Sequence, residues 1–151
     1  MSAAGSGPRP DADPAAALAE ARRVFTPDRR IVLVDQDWDG LLIDGEPKEV
    51  PREIIQAHSD SFRNPWIARS YHRMLSEAGF GDVTVRAETV PITAPPLAEI
   101  MPGLAADAAV EAGAIEPREA ARWLSDQRAR LENGTFFASM THFIAAARRS
   151  T

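Results

Sequence analysis

An α/β domain is predicted from three observations. Apolar residues recur at helical spacing in several stretches, three other stretches read as extended, and one of these, Ile31 to Val34, is an unbroken apolar run of the kind found in strands covered on both faces. With 151 residues, 44% of them hydrophobic, the chain is long enough to bury one core.

The elements follow in order. Residues 1–12 are small, polar and rich in Pro and Gly, and are expected to form a disordered arm ahead of a folded region spanning 13–150. Asp13-Pro14 reads as an N-cap and a first-turn proline, and Leu18, Ala21, Arg22 and Phe25 continue at helical spacing, predicting a helix from Pro14 to Phe25. After the turn Thr26-Pro27-Asp28 comes the strand Ile31 to Val34, ending in the polar run Asp35-Gln36-Asp37-Trp38-Asp39-Gly40. Ile54, His58 and Phe62 lie on one face of a helix starting near Pro51 and broken by Asn64-Pro65. Ile67, Tyr71, Met74, Leu75 and Ala78 mark the next helix, closed by Gly79. Val83 and Val85 alternate with polar residues in a half-exposed strand, whose phase shift toward Val90 and Ile92 suggests a bulge. Leu97 to Ala112 is read as a helix interrupted at Pro102-Gly103, and Pro117 to Leu131 as another, stopped by Asn133-Gly134. Phe136 to Ala147 closes the chain as a long strand with Phe136, Phe137, Phe143 and Ile144 buried.

Composition excludes several function classes. There is no cysteine, which removes disulfides, Fe–S clusters, zinc ribbons and a thiol nucleophile. Lys and Arg number 17 against 22 Asp and Glu, a net charge of −5 without a concentrated basic face, so no nucleic-acid partner is expected. The uncharged stretch from Gly134 to Ala147 is too short and too polar to span a bilayer, and the N-terminus lacks the apolar core of a signal peptide. A cytoplasmic chain with no membrane partner is therefore expected.

Three segments carry a resemblance. The helix Asp13 to Phe25 followed by Ile31-Val32-Leu33-Val34-Asp35, the run Met74-Leu75-Ser76-Glu77-Ala78-Gly79-Phe80-Gly81-Asp82-Val83, and the closing segment Arg122 to Arg148 are together similar to the C-terminal half of class I S-adenosylmethionine-dependent methyltransferases. The likeness is to the ubiquinone/menaquinone-biosynthesis-like small-molecule branch and runs from Asp11 to Arg149. It implies a partial Rossmann-like methyltransferase fold: equivalents of strands five, six and seven with covering helices, the last strand antiparallel between the other two, and no N-terminal cofactor half. The glycine-rich loop after a first strand and the ribose-binding acid of that half are not found in the sequence; Gly5-Ser6-Gly7 follows no strand and opens no helix. Asp28-Arg29 stands where the family has Gly-Gly, so a left-handed turn there would strain Arg29.

Ligands of open α/β sheets sit beyond the carboxyl ends of the strands, which places Asp35, Asp37 and Trp38 at the mouth of a cleft. Two carboxylates two residues apart would share one side of an extended chain and contact an acceptor. Trp66 and Asn64, in the linker Arg63-Asn64-Pro65-Trp66, complete the candidate set with His58, and Trp38 and Trp66 would wall an apolar pocket. His58 is weighed as a hydrogen-bonded core histidine against a general base, and His142 and Met74, Met101 and Met140 as structural. The three histidines show no metal spacing, and no metal site is expected.

The resemblance thus implies methyl transfer to a small-molecule acceptor. S-adenosylmethionine would bind only if another chain or upstream sequence completes the fold, and the chain would be inactive alone. The alternatives are a non-catalytic methyltransferase-like binding or assembly subunit, or a truncated gene product. An apolar strand at Ile31 to Val34 without its neighbour predicts a homodimer or a partner chain carrying the cofactor half.

Overall fold

The computed structural model describes residues 13–149; the arm expected at 1–12 and the end of the chain lie outside the described residues. The element order is α1 (Pro14–Val24), β1 (Arg30–Ile43), α2 (Glu49–Asp60), a 3-10 turn (Ile67–Ser70), α3 (Tyr71–Glu77), β2 (Gly81–Pro91), α4 (Pro95–Glu111), α5 (Pro117–Glu132) and β3 (Ala138–Arg148). The protein is α/β, with one three-stranded sheet in the order β1-β3-β2. Both pairings of β3 are antiparallel. The Asp44 amide donates to the Phe137 carbonyl at 3.0 Å while Arg149 donates to Arg29 at 2.9 Å, so β3 runs back along β1. On the other side Ile92 donates to Ala138 at 2.8 Å, and the Thr84 hydroxyl meets the Ala146 carbonyl at 3.5 Å.

Contacts divide the chain into two compact units. One unit takes the chain up to Leu33, Ser70–Arg86 and the chain from Ile144. In it, Asp13 caps α1 by accepting from the Ala15 amide at 3.0 Å. Leu18, Ile31, Tyr71, Leu75, Phe80, Ala145 and Ala147 are buried, and Phe25 meets Phe80 edge-on at 6.5 Å. Gly79 has φ +81°, as its position after α3 requires, and its carbonyl accepts from Arg22 Nε at 2.9 Å. The left-handed residue of the turn before β1 is Asp28, with φ +64°, rather than Arg29; a short polar side chain tolerates that conformation far better.

The second unit, Val34–Arg69 and Ala87–Phe143, holds the larger core. Leu41, Ile43, Val50, Ile54, Ala98, Met101, Ala105, Ala109, Trp123 and Met140 are among its buried members. Four of the residues burying α4 are alanines, Ala98, Ala105, Ala106 and Ala109, which lets α2 and α5 pack against it closely. Pro102 sits inside α4 without ending it, contrary to the expected interruption; it is itself buried, and packing outweighs the missing hydrogen bond. From α5, Gln127 donates to the Asp44 carbonyl at 2.8 Å and Arg130 pairs with the Asp44 carboxylate at 2.7 Å. A Cβ at Gly45 would lie 2.9 Å from Trp123 Nε1, so the loop after β1 approaches α5 as only glycine allows.

Two strand expectations need correction. The first strand does not stop at Val34 but continues through Asp35 to Ile43, because alternate residues of the polar run find separate partners on the two faces. Nor is it covered on both faces: Val32 and Val34 are 59% and 58% exposed while Ile31 is buried. In β3 the buried positions are Ala138, Ser139, Met140, Ala145 and Ala147, with Phe143 and Ile144 partly covered; Phe136 and Phe137, expected in the strand, precede it, the first partly covered and the second 50% exposed.

Candidate functional site

The middle of β1 sends successive side chains to opposite faces. Gln36 and Trp38 turn to a cavity of about 370 Å³ in the larger unit, lined also by Leu97 and Met101 from α4 and by Met140 and His142 from β3. Val90, Pro91, Ile92, Thr93 and Ala94 complete the wall. No Asp, Glu, Lys or Arg lines it. Trp38 is held from behind: its ring stacks on Phe62 at 3.9 Å with an interplanar angle of 9°, and His58 meets it edge-on at 5.4 Å. The aromatic wall is therefore fixed by α2 and the residues that follow it.

His58 is 6% exposed, and neither of its ring nitrogens has a hydrogen-bond partner among the described residues. Burial holds its pKa below the ordinary value of 6.5. It is a buried histidine as expected, but stabilised by Trp38 and Phe62 rather than by a hydrogen bond. His142 Nδ1 is likewise buried without a partner, on a residue that lines the cavity. Such atoms are uncommon in native cores and call for an explanation.

Asp37 does not face the cavity with Trp38. It is 6% exposed and accepts a two-pronged pair from Arg69, 2.9 Å from Nε and 2.8 Å from Nη2, and Arg69 reaches Asp39 at 3.2 Å. Pairing with Asp37 raises the Arg69 guanidinium above its ordinary value. Arg69 also lies 5.0 Å over the Trp66 ring. Asp37, expected from the sequence to contact an acceptor, is paired with Arg69, a cation that no sequence motif singles out. Asp35 accepts from the Gln36 amide at 2.9 Å. Asn64 is exposed and serves the turn, its carbonyl accepting from Ile67 at 3.3 Å.

Trp38 and Trp66 do not wall one pocket. Trp66, 49% exposed, lines a separate groove of about 840 Å³ with Asp39, Lys48 and Arg52. Trp66 sits on the linker whose Pro65 carbonyl accepts from the Trp38 amide at 3.3 Å, and its ring lies under Arg69, the partner of Asp37 and Asp39. What sequence reading assigned to the core, Met101, Met140 and His142, includes the cavity lining. The signal was the pair Met140 and His142 two residues apart on one strand, matched by Gln36 and Trp38 on another. Among the described residues no group of three or more His, Asp or Glu could hold a metal ion, and no helix is long and apolar enough to cross a membrane.

No family model matches the chain. It is 39% identical over 143 residues to a Streptomyces fradiae protein named as an uncharacterized 37.1 kDa protein in transposon Tn4556. The match covers 90% of this chain and 39% of that protein, so the chain spans about two fifths of the length of the relative it matches.

Proposed function

We propose that this chain is the acceptor-side half of an S-adenosylmethionine-dependent methyltransferase acting on a small molecule, inactive by itself and completed by a cofactor-binding half on another chain or on upstream sequence. The observation that carries the reading is the sheet order β1-β3-β2, with the last strand antiparallel in the centre, together with a cavity walled by all three strands and α4. That is the arrangement the resembled family would place at strands five, seven and six. The relative adds support of another kind: there the matched segment is 39% of a longer chain, which leaves room for a second half.

The described residues do not themselves fit the cofactor. Their single Gly-x-Gly, Gly79-Phe80-Gly81, leads from a helix into a strand, the reverse of the strand-to-helix turn that cradles a nucleotide. Asp37, the buried acid of β1, is engaged by Arg69. The contribution of this chain is therefore positional: Trp38, Leu97 and the two methionines exclude water and orient the acceptor, and rigid placement alone supplies a large part of a displacement reaction's acceleration.

Calorimetry with S-adenosylmethionine tests this directly. The full-length Streptomyces fradiae relative should bind it with micromolar affinity, and the isolated chain should show no heat. Absence of binding by the full-length relative would sink the methyltransferase reading and leave a small-molecule binding module, the alternative that the same cavity favours.

A further inference from the structure

We infer that the cavity between β1, β3, β2 and α4 is a binding site for an uncharged aromatic alcohol, its ring held against Trp38, Met101 and Met140 and its hydroxyl answered by Gln36 and His142. This deepens the proposed acceptor role, and names the substrate class only insofar as that role holds.

Four features lead to this ligand. The volume, about 370 Å³, is at the small end of ligand pockets and suits one or two rings. The lining contains no ionisable residue other than His142, so a carboxylate, phosphate or ammonium would be desolvated without a counter-charge. Trp38 is already stacked on Phe62 and braced by His58, so a planar surface exists before any ligand arrives and costs no ordering on binding. Met101 and Met140, 7% and 6% exposed, add polarizable sulfur, which favours an aromatic ring over an aliphatic one of the same size.

The polar groups decide the substituent. Gln36 offers a donor and an acceptor, and His142 offers the ring nitrogen other than its buried, unpaired Nδ1. A hydroxyl can donate to one and accept from the other, whereas a hydrocarbon leaves both unanswered. A phenol, with a pKa near 10, enters the site neutral.

The isolated chain is titrated calorimetrically with para-cresol, para-toluate and cyclohexanol. Para-cresol should bind at least about tenfold more tightly than the other two. Val90→Glu, at a half-exposed lining position outside the core, should weaken para-cresol by about tenfold or more with an unchanged melting temperature, and Gln36→Leu should weaken para-cresol while leaving toluene, which lacks the hydroxyl and is titrated alongside, bound as by the wild-type chain. Equal affinities for the three compounds, or an unaffected Val90→Glu variant, overturns the inference. Binding of para-cresol with no S-adenosylmethionine binding by the full-length relative keeps the site and removes the methyltransferase reading; the converse result removes this site alone.

Discussion

His58 is buried with neither ring nitrogen partnered among the described residues, and the consequence is acid sensitivity. Burial depresses its folded pKa below 6.5, so between that folded value and 6.5 the unfolded chain binds more protons than the folded one. Stability is complete above about pH 6.5 and falls as pH drops through the folded value. The urea midpoint should therefore decrease between about pH 7.5 and about pH 5, and His58→Leu should flatten that slope; an identical slope in the variant would show that other groups dominate. Asp37 presents the opposite case of a buried charge that is answered. Removing its partner by Arg69→Met leaves the carboxylate paired with nothing comparable and should cost about 1–3 kcal/mol, tempered because Arg69 itself is partly exposed. A loss below about 0.5 kcal/mol in equilibrium unfolding would place the pair among inert surface contacts. The Asp37–Arg69 pairing was not visible in the sequence, because Arg69 is 32 residues from Asp37 and no local pattern connects them.

At the scale of elements, the helices were legible and the strands only in part. Leu18 and Ile54 lie on stripes whose period is a property of the helix itself, and Asp13-Pro14, Gly79 and Pro117 mark ends by local chemistry. A strand's extent depends instead on neighbours. Asp35 to Asp39 looked like a loop because acids are poor strand formers, yet the run stays extended where Arg69 covers one face and the cavity the other. The buried positions keep one phase along β1, at Ile31, Asp37, Leu41 and Ile43, and a Cβ at Gly40 would lie 2.9 Å from Thr141, so the strand approaches β3 there as glycine allows. In β3 the consequence is measurable. Met140→Ala should cost about 2–5 kcal/mol and Phe137→Ala under about 1 kcal/mol, although phenylalanine is the larger side chain. The reverse ranking in chemical denaturation would overturn this order of burial around the start of β3.

For the whole molecule, β1 is an edge strand with Val32, Val34 and Leu42 each at least half exposed. The Trp38 amide of β1 donates to the Pro65 carbonyl at 3.3 Å, and the apolar stretch around Val32 and Val34 invites pairing with another chain. The isolated protein should sediment with a concentration-dependent mass, and Val34→Lys should return it to a monomer. Because Val34 is 58% exposed, that substitution should leave the melting temperature unaltered, rather than lowering it as burial on both faces would require. A wild-type chain that stays monomeric at high micromolar concentration would show that the edge protects itself.

Helix positions, the alternation of element types and the absence of cysteine chemistry were determined by the sequence alone, because each rests on residues within a few positions of one another. The site was decided only by tertiary structure. Trp38 and Trp66 are equally aromatic in the sequence, but β1 turns Trp38 to the cavity beside Met140 and His142, while the linker after α2 carries Trp66 to the groove, under Arg69. Asp37 looked available until Arg69 arrived from a distant turn. Which face a strand residue occupies, and which partner meets it there, depends on pairing across about a hundred residues of chain, and no local periodicity encodes that distance.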